Sequence, residues 1–135
     1  MPVQLDEATR SFLNEPQVAV LATVSPTGRP QATPVWYLLE GDEIVVNTSK
    51  GRVKLHNLEK NPRLALTIVD AKNMYHYVQI QGRVVRFDQA RGARDIDRLS
   101  MRYHGKPYAY PGHDRPENRV TLIIRPLTLS GMGRR

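Results

Sequence analysis

"QVAVLATVSPTGRPQATPVWYLLEGDEIVVNTS", residues 17–49, is the stretch on which the fold turns. It holds three apolar runs separated by two turn signals. Gln17–Val24 is rich in Val, Ala and Leu, at a length that suits a buried strand. "SPTGRP" is a turn: Pro26 presets one φ and Gly28 permits a positive one. Gln31–Leu39 predicts a second strand, and Pro34 inside it lacks a ladder donor, so that position belongs at an edge or a bulge. "EGDE" then turns the chain into a third strand, Glu43–Asn47. Strands follow one another directly, without a crossover helix between them, which favours an antiparallel β architecture.

Outward from this stretch the pattern continues. Leu5–Glu15 predicts a short helix, with Asp6 at its N-cap and Pro16 after its end. Arg52–Lys60 predicts a second, with Val53, Leu55 and Leu58 on its apolar side and Pro62 blocking continuation. Leu64–Val69 and Tyr75–Phe87 read as strands, the longer one with a bulge at Gly82. Gln89–Tyr103 reads as the main helix, and Val120–Ile124 as the last strand, after which "RPLTLSGMGRR" trails out. The expectation is a mainly β chain: one domain over residues 1–135, six short strands in an antiparallel barrel, helices at the periphery.

The 135 residues carry 20 Lys+Arg against 13 Asp+Glu, a net charge of +7, which favours an anionic partner. With no cysteine, disulfides and thiolate chemistry are excluded. The four histidines lack metal-ligand spacing, so no metal site is expected. No apolar run nears the ~18 residues of a membrane span, and the N-terminus lacks a signal peptide's pattern, so a cytoplasmic location is expected. No G-x-S-x-G elbow supports a hydrolytic triad. Asp95 and Asp97 in "DIDR" read as surface charge.

Five cations lie between Lys50 and Arg63, against Glu59 alone. They cluster where a strand hands over to a helix. Thr48 and Ser49 stand where they can cap that helix, whose first N–H groups carry a partial positive charge. Arg52 adds a bidentate fork and Lys54 a mobile point charge, while Gly51 allows close backbone approach. A helix built only for stability carries acids there instead. The alternative is a solvated basic face, and the residues alone leave both open.

The series from "VAVLATV" through "NTSKGRVKLHNLEKNP" and "YVQIQGRV" to "RYHGKPY" and "RP…SGMG" resembles the flavin- and deazaflavin-dependent split β-barrel superfamily that includes pyridoxamine 5′-phosphate oxidase. The resemblance implies a six-stranded split barrel that forms a homodimer, with cofactor clefts between subunits. It implies that Pro34, Val35 and Trp36 run beside the cofactor's ring system. It implies that Asn47, Thr48 and Ser49 close one side, and that Arg52 and Lys54 grip the phosphate. Where the oxidase branch has Arg-Gln-Val, this chain has His76 and Tyr77, so Tyr77 takes the position that reaches the partner's cofactor. The long C-terminal region that binds pyridoxal phosphate is also absent from the sequence, so vitamin B6 oxidation is not expected. "PVWY" and "RYHGKPY" resemble the branch using coenzyme F420, whose phosphate and γ-glutamyl tail suit a basic protein; FMN is the alternative. Lys50, Lys60 and Arg63 are then expected near the tail.

The implied function is hydride transfer from reduced F420 (or FMN) to a small unsaturated or quinone-like acceptor. The cofactor carries the chemistry, so no catalytic residue is named. Two other readings stand beside it: a non-catalytic carrier or sensor of the cofactor, and a nucleic-acid-binding barrel using Tyr75, Tyr77 and Phe87 for stacking. The loop from Tyr103 to His113 offers Tyr108 and Tyr110 either to a substrate pocket or to packing on the barrel.

Overall fold

The computed structural model describes residues 3–132. Seven antiparallel strands form one sheet: β1 (Val18–Val24), β2 (Pro30–Val35), β3 (Tyr37–Glu40), β4 (Glu43–Ser49), β5 (Arg63–Asp70), β6 (Asn73–Asp88) and β7 (Arg119–Met132). Their order across the sheet is β2-β1-β5-β6-β7-β4-β3. Helices α1 (Glu7–Leu13), α2 (Val53–Lys60) and α3 (Gly92–His104) lie outside the ladder, and a 3₁₀ turn spans Pro116–Asn118.

The strand order contains the reason for the barrel's shape. β2 and β3 are the two edges of the sheet, yet Trp36 alone separates them in sequence. Consecutive Cα atoms are about 3.8 Å apart, so the edges must meet at Trp36 and the sheet must curl into a split barrel. This corrects the count of six strands. The apolar run Gln31–Leu39 is not one strand but two, because the chain crosses from one edge to the other at Trp36. Pro34, opposite Val20, sits on edge strand β2, where its missing N–H costs no inner ladder bond.

Alternation fills the interior. Ala19, Leu21 and Thr23 point inward from β1, and Leu64, Leu66 and Ile68 from β5. Leu21 lies opposite Leu66, and Leu66 opposite Ile80, so one row of buried side chains crosses three strands. The ladder slips at Gln81/Gly82, the expected bulge. A second apolar cluster lies on the outer face, where Ile96 and Leu99 of α3 pack on Leu38, Val45 and Ile123. That is why β4 is buried on both faces.

Two further expectations are corrected. β7 does not stop at Ile124; it pairs with β6 as far as Met132, because the alternating apolar and polar residues after Pro126 continue the ladder. The final three residues of "RPLTLSGMGRR" lie outside the described residues. Val53 does not join the apolar side of α2: it is 56% exposed, while Leu55, Asn57 and Leu58 face inward. The Asn57 amide donates to Thr23 Oγ1 at 3.0 Å and ties α2 to β1.

Asp6 caps α1 by accepting from the Thr9 N–H at 2.7 Å. The guanidinium of Arg102 donates to the carbonyls of Leu13, Asn14 and Glu15, satisfying the other end of α1. These bonds pin α1 to α3 beside the place where β2 and β3 part.

Candidate functional site

The split in the barrel opens a cavity of about 570 Å³. This is within the ~300–1,000 Å³ range of small-molecule sites. One wall is the β2–β3 junction, Pro34, Val35 and Trp36. The lining also includes Arg52 and Lys54 from the start of α2, Arg119 from the start of β7, and Asn47 of β4.

The aromatic wall is built by α3 and the loop after it. Trp36 stacks on Tyr103 with ring centroids 5.6 Å apart, and Tyr108 meets it edge-on at 6.3 Å. Tyr103 donates its hydroxyl proton to the Gln17 carbonyl at 2.8 Å, fixing the ring. Burial holds its pKa above the usual tyrosine value, so it stays protonated at neutral pH. Tyr108 is half-buried and lines the cavity, while Tyr110 packs against it at 4.8 Å. Both rings pack against the outer apolar cluster, which is the packing reading of this loop, and Tyr108 also borders the cavity.

Arg52 is the N-cap of α2, but no side chain caps the helix and its first turn carries no acid. Thr48 and Ser49 do not serve as caps, contrary to expectation. They end β4, opposite Val120 and Arg119, and their backbone is committed to that ladder. Strand alternation also divides the "NTS" run. Asn47 faces the cavity, Ser49 faces a neighbouring one, and Thr48 is buried and lines neither. The neighbouring cavity, about 510 Å³, shares Arg52 and includes Lys50 and His113 in its wall. Lys60 and Arg63 are exposed and line neither. Tyr77 lies on β6 opposite Val69 and Met132 and is not part of this chain's own cavity wall.

Among the described residues, Arg52 and Lys54 have no acidic partner within ion-pair distance. Lys54 is half-buried; burial first, then Arg52 and Arg119, push its pKa below the ordinary lysine value. Such a cluster resists its own positive charge until an anion enters. The buried Arg119 differs. Its Nε donates to Asn47 Oδ1 at 2.9 Å and its Nη1 to Asp114 Oδ2 at 3.0 Å, and its guanidinium lies 5.3 Å from the Tyr108 ring centroid.

A polar network runs behind this wall. The Asn47 amide donates to the Gly92 carbonyl at 2.9 Å and approaches Thr121 Oγ1 at 3.4 Å. Thr121 donates to Asp95 Oδ2 at 2.8 Å, which also accepts from Arg91 Nε at 2.9 Å. Asp95 is fully buried, which corrects its reading as surface charge. Its neighbour Asp97 is exposed and accepts from the Tyr108 N–H at 2.9 Å. The absence of a shared helical face hid the fact that Asp95 faces the sheet.

Gly92 holds this corner together. A Cβ there would fall inside contact distance of the Arg119 carbonyl oxygen and the Val120 N. Gly92→Ala is expected to lower unfolding stability by about 1–3 kcal/mol. Urea denaturation measures it, and an unchanged midpoint contradicts the close approach.

The residues fit an anionic ring-bearing cofactor: three cations and an aromatic and proline wall line one cavity. No carboxylate or imidazole lines the described cavity. Among the described residues no group of His, Cys, Asp and Glu could hold a metal ion, and no helix is long and apolar enough to cross a membrane.

Residues 5–132 match the family described as pyridoxamine 5′-phosphate oxidase. A pyridoxine/pyridoxamine 5′-phosphate oxidase of Rubrobacter xylanophilus is 48% identical over 64 residues, 45% of this chain and 29% of the relative. The match thus spans less than a third of that curated relative. Among solved structures, an F420 reductase superposes with a TM-score of 0.82 at 29% identity, covering 93% of this chain and 98% of that one. A conserved hypothetical protein of Mycobacterium tuberculosis superposes at 0.73 with 23% identity, covering 99% and 88%, which bears on the fold alone.

Proposed function

The chain belongs to the pyridoxamine 5′-phosphate oxidase family, and from that premise we propose that it is an oxidoreductase holding coenzyme F420, with FMN as the alternative. The observation that carries the reading is the pairing of unneutralised Arg52 and Lys54 with the Pro34–Val35–Trp36 wall in one cavity. Arg52 and Lys54 would hold the phosphate, Asn47 would close the side between them and the ring, and Trp36 would lie along the ring system. When bound, the reduced cofactor supplies a hydride for a small unsaturated or quinone-like acceptor.

The chain's own part is to orient and to exclude water. Tyr103 and Tyr108 keep Trp36 in one rotamer, and the rim residue Val18, half exposed, waits to be covered. We place that cover on a second copy of the chain, whose Tyr77 would reach across. The neighbouring cavity with Lys50 and His113, joined through Arg52, suits a cofactor whose phosphate leads into an anionic tail, and this favours F420 over FMN. The likeness to an F420 reductase over most of both chains supports the same preference.

A cavity wall without carboxylate or imidazole also favours a second reading, a carrier or sensor that binds the cofactor without turnover. Nucleic-acid binding has less support, because Arg52 and Lys54 sit in a concavity and not along a flat stripe.

Titration of the purified protein with F420 and with FMN, followed by fluorescence, tests the reading. F420 is expected to bind at about micromolar concentration and at least several-fold tighter than FMN. Equal or reversed affinities overturn the F420 preference, and no binding of either removes the cofactor site. Return of the oxidised cofactor's visible absorbance when a quinone is added to the reduced cofactor, faster with the protein than without it, separates enzyme from carrier.

A further inference from the structure

Arg119 is a cation on the cavity wall that no sequence pattern marks. Its side chain is 7% exposed, and Asp114, its partner, 14%. The guanidinium is fixed on three sides: Nε by Asn47, Nη1 by Asp114, and one face by Tyr108. Among the hydrogen bonds of the described residues none uses Nη2. A fork held so firmly with one edge free is arranged to meet an anion, since its orientation entropy is already spent in folding.

Asp114 is not on that cavity's wall. It lines the neighbouring one. Its carboxylate therefore cancels one of the three positive charges without occupying the anion's position. Arg52 and Lys54 remain uncompensated.

We propose that Arg119 is a third phosphate-holding residue of the cavity, and that Asp114 sets its affinity by leaving two net positive charges for a ligand group bearing two negative ones. This rests on the reading of the cavity as a phosphate-bearing cofactor site. The ligand group is either a phosphate monoester, as in FMN, or a phosphodiester with a carboxylate close behind it, as in F420. Lys54 points the same way: Arg119 is near enough to lower its pKa, so the two cations address one volume.

The test compares dissociation constants for FMN, F420 and riboflavin, which has the ring but no phosphate, at one ionic strength. The proteins are wild type, Asp114→Asn, Arg119→Gln, the double variant, and Glu7→Gln as an exposed-charge control on α1. Asparagine at 114 keeps an acceptor for Nη1 and removes only the charge. Asp114→Asn is expected to tighten the phosphate-bearing cofactor about fivefold. Arg119→Gln is expected to weaken it about tenfold or more. Asp114→Asn should give no tightening once Arg119 is replaced. Riboflavin and Glu7→Gln values should stay within about twofold of wild type. The proposal is overturned if Asp114→Asn leaves the affinity unchanged, weakens all three ligands alike, or tightens binding equally without Arg119. If Arg119→Gln fails to fold, the Asp114→Asn comparison between FMN or F420 and riboflavin still decides. A wild-type protein that prefers neither FMN nor F420 over riboflavin would instead remove the phosphate-site reading itself, and the inference with it.

Discussion

Replacing Arg52 and Lys54 together by alanine is expected to weaken binding of the phosphate-bearing cofactor by about two to four orders of magnitude. Each substitution removes a charge-assisted hydrogen bond worth about 1.5–3 kcal/mol, and about 1.4 kcal/mol is a factor of ten. Arg119 remains and still presents its free edge to the phosphate, but Asp114 offsets its charge, so one fork does not replace the two lost cations. Riboflavin affinity should change little, which separates a lost phosphate grip from a disturbed cavity. A loss smaller than about threefold would mean that the cations face solvent only. The wild type should also show a distinctive pH profile. Because its neighbours and burial lower the Lys54 pKa, the ammonium is lost earlier than the ordinary value of about 10.4. Affinity is therefore expected to fall as pH rises through that lowered pKa, and Lys54→Ala alone should remove this limb.

Asp95→Ala is expected to cost about 3–5 kcal/mol of unfolding stability, because it strands cations built around a fully buried carboxylate. Asp95 accepts from Thr121, Arg91 and Arg98 at 2.8–2.9 Å. Arg91 in turn forks onto Glu40 of β3 at 2.8 and 3.1 Å. The network thus joins α3 to an edge strand and, through Thr121, to the Asn47 side of the cavity. Burial alone would raise the Asp95 pKa, but hydrogen bonds from Thr121, Arg98 and Arg91 outweigh it and hold the pKa below the ordinary aspartate value. A carboxylate with a depressed folded pKa stabilises the fold above its unfolded value, about 3.9, and loses that contribution as pH falls through the folded one. Wild-type stability should therefore decline below about pH 4, and Asp95→Ala should flatten that decline. Urea melts at several pH values measure both. A variant as stable as wild type would show that the network is not needed.

Much of this was legible in the residues because it is local. Strand patterning marked six segments, the run 31–39 being read as one strand where the sheet has two. The Asp6 cap, the edge position of Pro34 and the bulge at Gly82 each follow from the chemistry of one residue and its neighbours. The cations Arg52 and Lys54 stood out because their spacing along the chain is also their spacing in space, at the start of a single helix.

What the sequence determined by itself was the antiparallel β class, the net positive charge and two of the cavity's three cations. Only the tertiary structure decided the rest. Trp36 became a boundary because two strands adjacent in sequence went to opposite edges of the sheet. Arg119 reached Asn47, 72 residues away, because the β4–β7 register sets Ser49 against Arg119 and Asn47 against Thr121. Asp95 became a buried hub because α3 lies across that same pair. Register and edge placement are set by which distant faces exclude water together, and no window of neighbouring residues contains that information.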